Sequence, residues 1–256
     1  MNEPRRHYLL ALSLLSCSSS GGRSPASSPP ASDPPTDVAH HHAASDDAHG
    51  SNGAHDGRSH HRHHRFENAE QWAKKFDDPS RDKWQRPDAV IDFVAPAANA
   101  RVADIGAGTG YFAIRFARQV PQGMVFANDI EPDMVRYLTK RAKREGLSNL
   151  VAVQGSTRDP RLPETIDVAF LCNVYHHIED PVAFFHVVVS RLQPGGRVII
   201  VDFKKDAPED IPGPPMAMRV AQDELVANLA PVGLALARAD RDRLPYQYIL
   251  ELKRAP

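Results

Sequence analysis

The stretch Asp104-Ile105-Gly106-Ala107-Gly108-Thr109-Gly110 decides how this chain reads. It closes a short apolar run, Arg101 to Ile105, that predicts a strand. It runs straight into a predicted helix, Tyr111 to Val120. Glycines at alternate positions let the backbone turn tightly and approach a ligand with no Cβ in the way. The helix start beyond offers free N–H groups and the positive end of a dipole, which suits a carboxylate. Asp104, just ahead of the glycines, suits an ammonium group. The dinucleotide fingerprint would need glycine at position 111, where this chain has Tyr111. The loop is therefore set for the two opposite charges of an amino acid.

Working outward, strand and helix signals alternate. Strands are expected at Met124–Asn128, Val151–Gln154, Ile166–Cys172 and Arg197–Val201, and helices at Pro132–Glu145 and Pro181–Leu192. Pro132 at a helix start and Gly146 just past its end are the expected punctuation. Asp180 reads as an N-cap, and Pro194-Gly195-Gly196 as a turn into the fifth strand. Ile166–Cys172 is almost continuously apolar, as a strand buried on both faces should be. A helix at Gln222–Leu229 and strands at Leu234–Ala239 and Tyr246–Leu252 follow. Upstream, amphipathic helices are expected at Glu67–Phe76 and Asp88–Val94. The fold class is thus α/β, a Rossmann-like, doubly wound and mainly parallel seven-stranded sheet with an N-terminal helical extension. Ligands of such sheets sit beyond the carboxyl ends of the strands.

The second strand ends Ala127-Asn128-Asp129. An acid at that tip is placed to accept both hydroxyls of a ribose, so Asp129 implies a nucleoside with a free 2′-hydroxyl. An amino acid joined to a ribonucleoside is S-adenosylmethionine. A helix cap beside Pro132 is the alternative reading of Asp129.

Five motifs in this order and spacing resemble those of class I S-adenosylmethionine-dependent methyltransferases. They are Asp104–Gly110, Asp129, Gly155-Ser156, Asn173–Asp180 and Gln193-Pro194-Gly195-Gly196-Arg197. The likeness is greatest to the small-molecule group that includes the ubiquinone/menaquinone methyltransferases, and it covers residues 87–204 well. The resemblance implies a methyl transfer to a small-molecule acceptor. It implies that Gly106, Gly108 and Gly110 form the cofactor loop, that Asp104 supports the methionine amino group, and that Asp129 holds the ribose. It puts Ser156 and Thr157 beside the adenine and Asn173 near the methyl donor. The family often carries an acid where this chain has Ser156; Asp159 is the nearby carboxylate that could replace it.

His176 and His177 follow the fourth strand, where the acceptor should lie, and either could act as general base on a hydroxyl or an acidic carbon. A loop histidine bonded to the backbone is the plainer alternative. Trp72, Phe76 and Trp84 read either as an apolar lid or as core. Lys204 and Lys205 lie beyond the fifth strand, as a solvated end or an attraction for an anion. Cys172, in an apolar strand, reads as a buried inert thiol.

Composition changes sharply near residue 65. Residues 1–17 resemble a bacterial lipoprotein signal, with Arg5-Arg6, an apolar run from Tyr8 to Leu15, and a lipobox Leu14-Leu15-Ser16-Cys17. The resemblance implies a lipidated Cys17 and a membrane-anchored lipoprotein of the bacterial envelope if the signal is used, and a cytoplasmic protein otherwise. Residues 18–65 read as a disordered tether rich in Ser and Pro, then in His. Nine of the chain's 13 histidines fall there, from His40 to His64, which suggests incidental metal binding. No fixed metal site is expected. Formal net charge is −1, which supplies no basic field to steer the chain onto nucleic acid. Residues 66–256 form the expected methyltransferase domain. A non-catalytic cofactor-binding module and a metal-handling lipoprotein stay open as rival readings.

Overall fold

The computed structural model describes residues 68–256; the signal, Cys17, tether and histidine-tail readings lie outside the described residues. The described chain forms a seven-stranded sheet in the order β3-β2-β1-β4-β5-β7-β6. Its strands are β1 (Arg101–Ile105), β2 (Met124–Asp129), β3 (Leu150–Gln154), β4 (Ile166–Cys172), β5 (Leu192–Phe203), β6 (Leu234–Asp240) and β7 (Gln247–Arg254). The first five pair in parallel, and β7 enters antiparallel between β5 and β6.

Period-2 alternation along the strands feeds two cores. Val102, Val125, Val168, Phe170 and Val201 face α3 (Pro87–Val94), α4 (Ala113–Gln119) and α5 (Pro132–Arg144). Ala103, Phe126, Ala169, Leu171 and Ile200 face α6 (Pro181–Arg191) and α7 (Gln222–Leu229). With both faces covered, Val168–Leu171 of β4 and Val198–Val201 of β5 carry only apolar side chains. Asp180 caps α6 by accepting the Ala183 N–H at 3.0 Å.

Three details depart from the sequence reading. Helix α1 (Ala69–Phe76) begins at its cap Asn68, whose side chain accepts the Gln71 N–H. A five-residue helix, α2 (Arg81–Gln85), follows it. Its sequence, Arg-Asp-Lys-Trp-Gln, is too short and too polar to show a period. The fifth strand starts at Leu192, not at Arg197. Leu192 pairs with Ile166 and Arg197 with Val168, so the Pro194-Gly195-Gly196 turn is a bulge inside the ladder.

Between β5 and α7 the chain makes a long excursion held by one buried cation. Arg219 is 2 % exposed. Its guanidinium donates to the carbonyls of Ala207 (2.6 Å), Pro208 (2.9 Å) and Pro214 (3.0 Å).

Candidate active site

The glycine loop sits at the carboxyl end of β1, between β2 and β4. Gly106, Gly108 and Gly110 all have positive φ. A Cβ on Gly106 would lie 2.4 Å from Val174 Cγ2, so only glycine lets the backbone pass under the turn that leaves β4. The Gly108 N–H donates to Asp129 Oδ2 at 2.8 Å, and the Glu131 N–H donates to Oδ1 at 3.0 Å. These bonds fix the Asp129 carboxylate and leave it two of roughly four lone-pair sites. The N-cap of α5 is Glu131, with no side-chain cap bond, so Asp129 braces the turn into that helix without capping it.

Asp104 is 3 % exposed, and its Oδ2 has no hydrogen-bond partner. Burial pushes its carboxyl up to about 7; the Ala113 backbone amide and the Arg81 charge act against the rise, and the Asp129 charge adds to it. Asp129 is likewise raised, chiefly by burial. An unpartnered buried carboxylate oxygen is costly unless a cation arrives to meet it. The Thr109 hydroxyl is a second buried polar atom there without a partner.

A helical cap closes over this loop. Phe76 stacks on Trp72, ring centroids 5.2 Å apart, and stands next to Gly108. Arg81 lies over the Tyr111 ring at 3.9 Å and Arg115 over it at 4.2 Å, while the Tyr111 hydroxyl bonds Asp82. Tyr111 therefore ties the cap down at the position where a dinucleotide site would need glycine. Arg141 of α5 joins Asp77 of the cap (2.9 Å) to the Thr109 carbonyl of the loop (2.7 Å). Further out, Arg136 makes a two-pronged exposed pair with Glu70.

The other predicted residues are distributed unevenly. Ser156 bonds within its own turn, donating its hydroxyl to the Asp159 carbonyl at 3.2 Å and accepting the Asp159 N–H at 3.1 Å. Thr157 is exposed, and the Asp159 carboxylate accepts the Arg161 N–H at 2.6 Å. Asn173, with φ +61, has its amide taken up by Gln85 of α2 (3.4 Å) and by Gln247 of β7. Gln85 and Gln247 are both fully buried and bond each other at 2.6 Å. Trp84 leaves the other two aromatics and packs on Phe203 at the end of β5, centroids 5.9 Å apart. Lys204 donates to the Leu244 and Pro245 carbonyls, so it pins a loop; Lys205 is exposed and 3.8 Å from Glu224. Burial pushes the Cys172 thiol upward, in keeping with an inert role.

His176 and His177 form a 3-10 turn with Tyr175, their rings 4.2 Å apart. His176 Nδ1 is 2.8 Å from Asp202 Oδ1; its side chain is 3 % exposed and that of Asp202 not at all. His177 is exposed. Asp202 and the amide pair Gln85–Gln247 escaped the sequence reading. Asp202 was findable: it ends the apolar run Val198–Val201 as Asp129 ends β2. The two glutamines lie 162 positions apart, and nothing local signals their meeting. Among the described residues no three His, Cys, Asp or Glu side chains cluster to hold a metal ion.

A methyltransferase domain family model matches residues 96–233. Over 167 residues the chain is 29 % identical to a ubiquinone/menaquinone biosynthesis C-methyltransferase of Roseobacter denitrificans, covering 64 % of this chain and 63 % of that one. Over 122 residues it is 34 % identical to a tRNA U34 carboxymethyltransferase of Desulfotalea psychrophila, covering 46 % of this chain but only 36 % of the relative. The chain therefore spans less than two thirds of either relative. A solved SAM-dependent methyltransferase from Aquifex aeolicus shares the fold with a TM-score of 0.64 at 24 % identity, over 71 % of this chain and 96 % of that one.

Proposed function

We propose, for a chain that belongs to the methyltransferase domain family, that its sheet-edge cleft binds S-adenosylmethionine and passes the methyl group to a small-molecule acceptor. One observation carries the reading. A buried Asp104 oxygen lacks a partner at the base of a glycine cradle, and the fixed Asp129 carboxylate stands on the next strand. An ammonium group meets the first and ribose hydroxyls meet the second. The loop amides and the start of α4 take the carboxylate. Ser156 and Thr157, in the turn after β3, flank the adenine.

The bound cofactor supplies a methyl group already activated as a sulfonium. What remains for the protein is to hold donor and acceptor in line and keep water out, which can account for roughly 7–11 kcal/mol of a barrier. The cap formed by α1 and α2 closes the cleft, and Val174 against Gly106 brings the turn after β4 up to the cofactor loop. Net charge of −1 argues for a small acceptor over a nucleic acid, which needs a basic surface. Calorimetry of the full chain with S-adenosylmethionine, and separately with S-adenosylhomocysteine, tests the proposal. Saturable heat with both is expected, and no heat with either overturns it.

A further inference from the structure

Among the buried groups outside the cofactor cleft, one carboxylate stands apart. Asp202 is fully buried at the carboxyl tip of β5, directly after Val198-Ile199-Ile200-Val201. A buried acid in an apolar strand costs several kcal/mol unless its oxygens are well used. Here they are. Oδ1 accepts the Phe203 N–H at 2.8 Å and faces His176 Nδ1 at 2.8 Å, while Oδ2 lies 3.1 Å from Nδ1 and 3.4 Å from the His176 backbone nitrogen. The carboxylate thus holds both the backbone and the ring of one histidine.

We infer that Asp202 is a positioning residue that fixes His176 as a proton acceptor, and that the methyl acceptor is therefore a weakly acidic hydroxyl. The inference rests on the methyl-transfer reading above. A carboxylate beside Nδ1 holds a proton on that nitrogen and puts the ring's lone pair on Nε2. The turn carrying His176 starts at Val174, which packs on Gly106, so this base belongs to the same end of the sheet as the cofactor loop. Around the pair stand Tyr175 and His177 on the same turn, Cys172 on β4 and Tyr248 on β7, with Glu224 of α7 near the two tyrosines. Trp84 and Phe203 give this end an apolar wall.

The chemistry selects the acceptor class. Carboxylic acids are already ionised at neutral pH, and thiols give up their proton more readily than phenols. An amine attacks through its lone pair and sheds its proton afterwards. A phenolic or enolic hydroxyl is the acceptor that gains most from a base acting during the transfer. His176 Nε2 takes the hydroxyl proton as the oxygen–methyl bond forms and the methyl–sulfur bond breaks, with that electron pair staying on sulfur. The products are a methyl ether, S-adenosylhomocysteine and an imidazolium, which returns its proton to water.

The first test needs no acceptor. Nitrogen-15 NMR of the histidine rings in the full chain, with His176→Gln to assign the signal, reads the tautomer directly. Wild-type His176 should carry its proton on Nδ1, and Asp202→Leu, which removes the acceptor and keeps the bulk, should lose that preference and move the proton to Nε2. Nδ1–H held equally in both proteins overturns the inference. Should Asp202→Leu fail to fold, wild type alone decides, Nδ1–H supporting the inference and Nε2–H overturning it. The second test offers radiolabelled S-adenosylmethionine with a pooled set of simple phenols, thiols and amines. Label in methyl ethers, falling at least a hundredfold in turnover for His176→Gln with cofactor affinity unchanged, is expected. Label only in thioethers, methylamines or carbon-methylated products, or none at all while the cofactor binds, overturns the acceptor class. Calorimetric heat separates that outcome from failure of the cofactor reading itself.

Discussion

The two halves of the sheet edge are built in opposite ways. Beyond β1 and β2 the cleft comes from contiguous sequence: backbone amides, glycine conformations and two acids at strand tips. Beyond β4, β5 and β7 it comes from side chains that meet only in the fold, such as Asn173 with Gln85 and Gln247, and His176 with Asp202. A part of a ligand that never changes can be read by backbone, which is insensitive to substitution elsewhere. A part that varies between enzymes is read by side chains, which a few substitutions can alter.

If that contrast holds, backbone damage in the first half should hurt most. Gly106→Ala puts a methyl group into Val174 at a φ that L-residues rarely adopt. Displacing the loop by overpacking costs up to about 3 kcal/mol, so S-adenosylmethionine affinity should fall about a hundredfold by calorimetry. An unchanged affinity would show that the loop is only a tight turn. Asp129→Ala should weaken the same affinity at least tenfold, because charge-assisted bonds to the ribose contribute roughly 1.5–3 kcal/mol each.

Proton linkage sharpens the comparison further. The folded Asp104 carboxyl sits at about 7 against an ordinary value of 3.8, so between these values the folded chain holds a proton that the unfolded chain sheds. Its burial weighs fully against folding above pH 7, and that cost fades as pH falls toward 3.8. Cofactor affinity runs the other way. The ammonium group needs the carboxylate, so affinity is full above pH 7 and drops by up to about tenfold per pH unit below it. The rise in Tm on adding S-adenosylmethionine should be larger at pH 8 than at pH 6, and Asp104→Asn should flatten the difference. The smallest effect belongs outside the cleft. Arg136→Ala removes an exposed pair with Glu70 and should leave affinity and Tm within error, since such pairs are screened by water.

The same contrast explains what could be read in advance. All seven strands were legible because apolar runs and their punctuation are local signals. The glycine loop and the strand-tip acids Asp104 and Asp129 were legible because they fall in a fixed order along the chain. Helix α2 was not, because five residues give no period, and it is α2 that brings Arg81 and Gln85 to the site. His176 was found as a candidate but its partner was not. Asn173 stands at the tip of β4, as expected, yet its amide serves Gln85 and Gln247. Ser156 and Thr157 lie after β3, as expected, yet the Ser156 hydroxyl is spent on its own turn.

Arg219 has a consequence for how such a protein can change its clientele. One interior guanidinium gathers three carbonyls from the stretch that leaves β5, so that stretch carries its own fastening and borrows little from either core. Residues 207–219 should then be exchangeable as a cassette, with the arginine travelling inside the insert and Lys204 left behind to pin the Leu244–Pro245 loop.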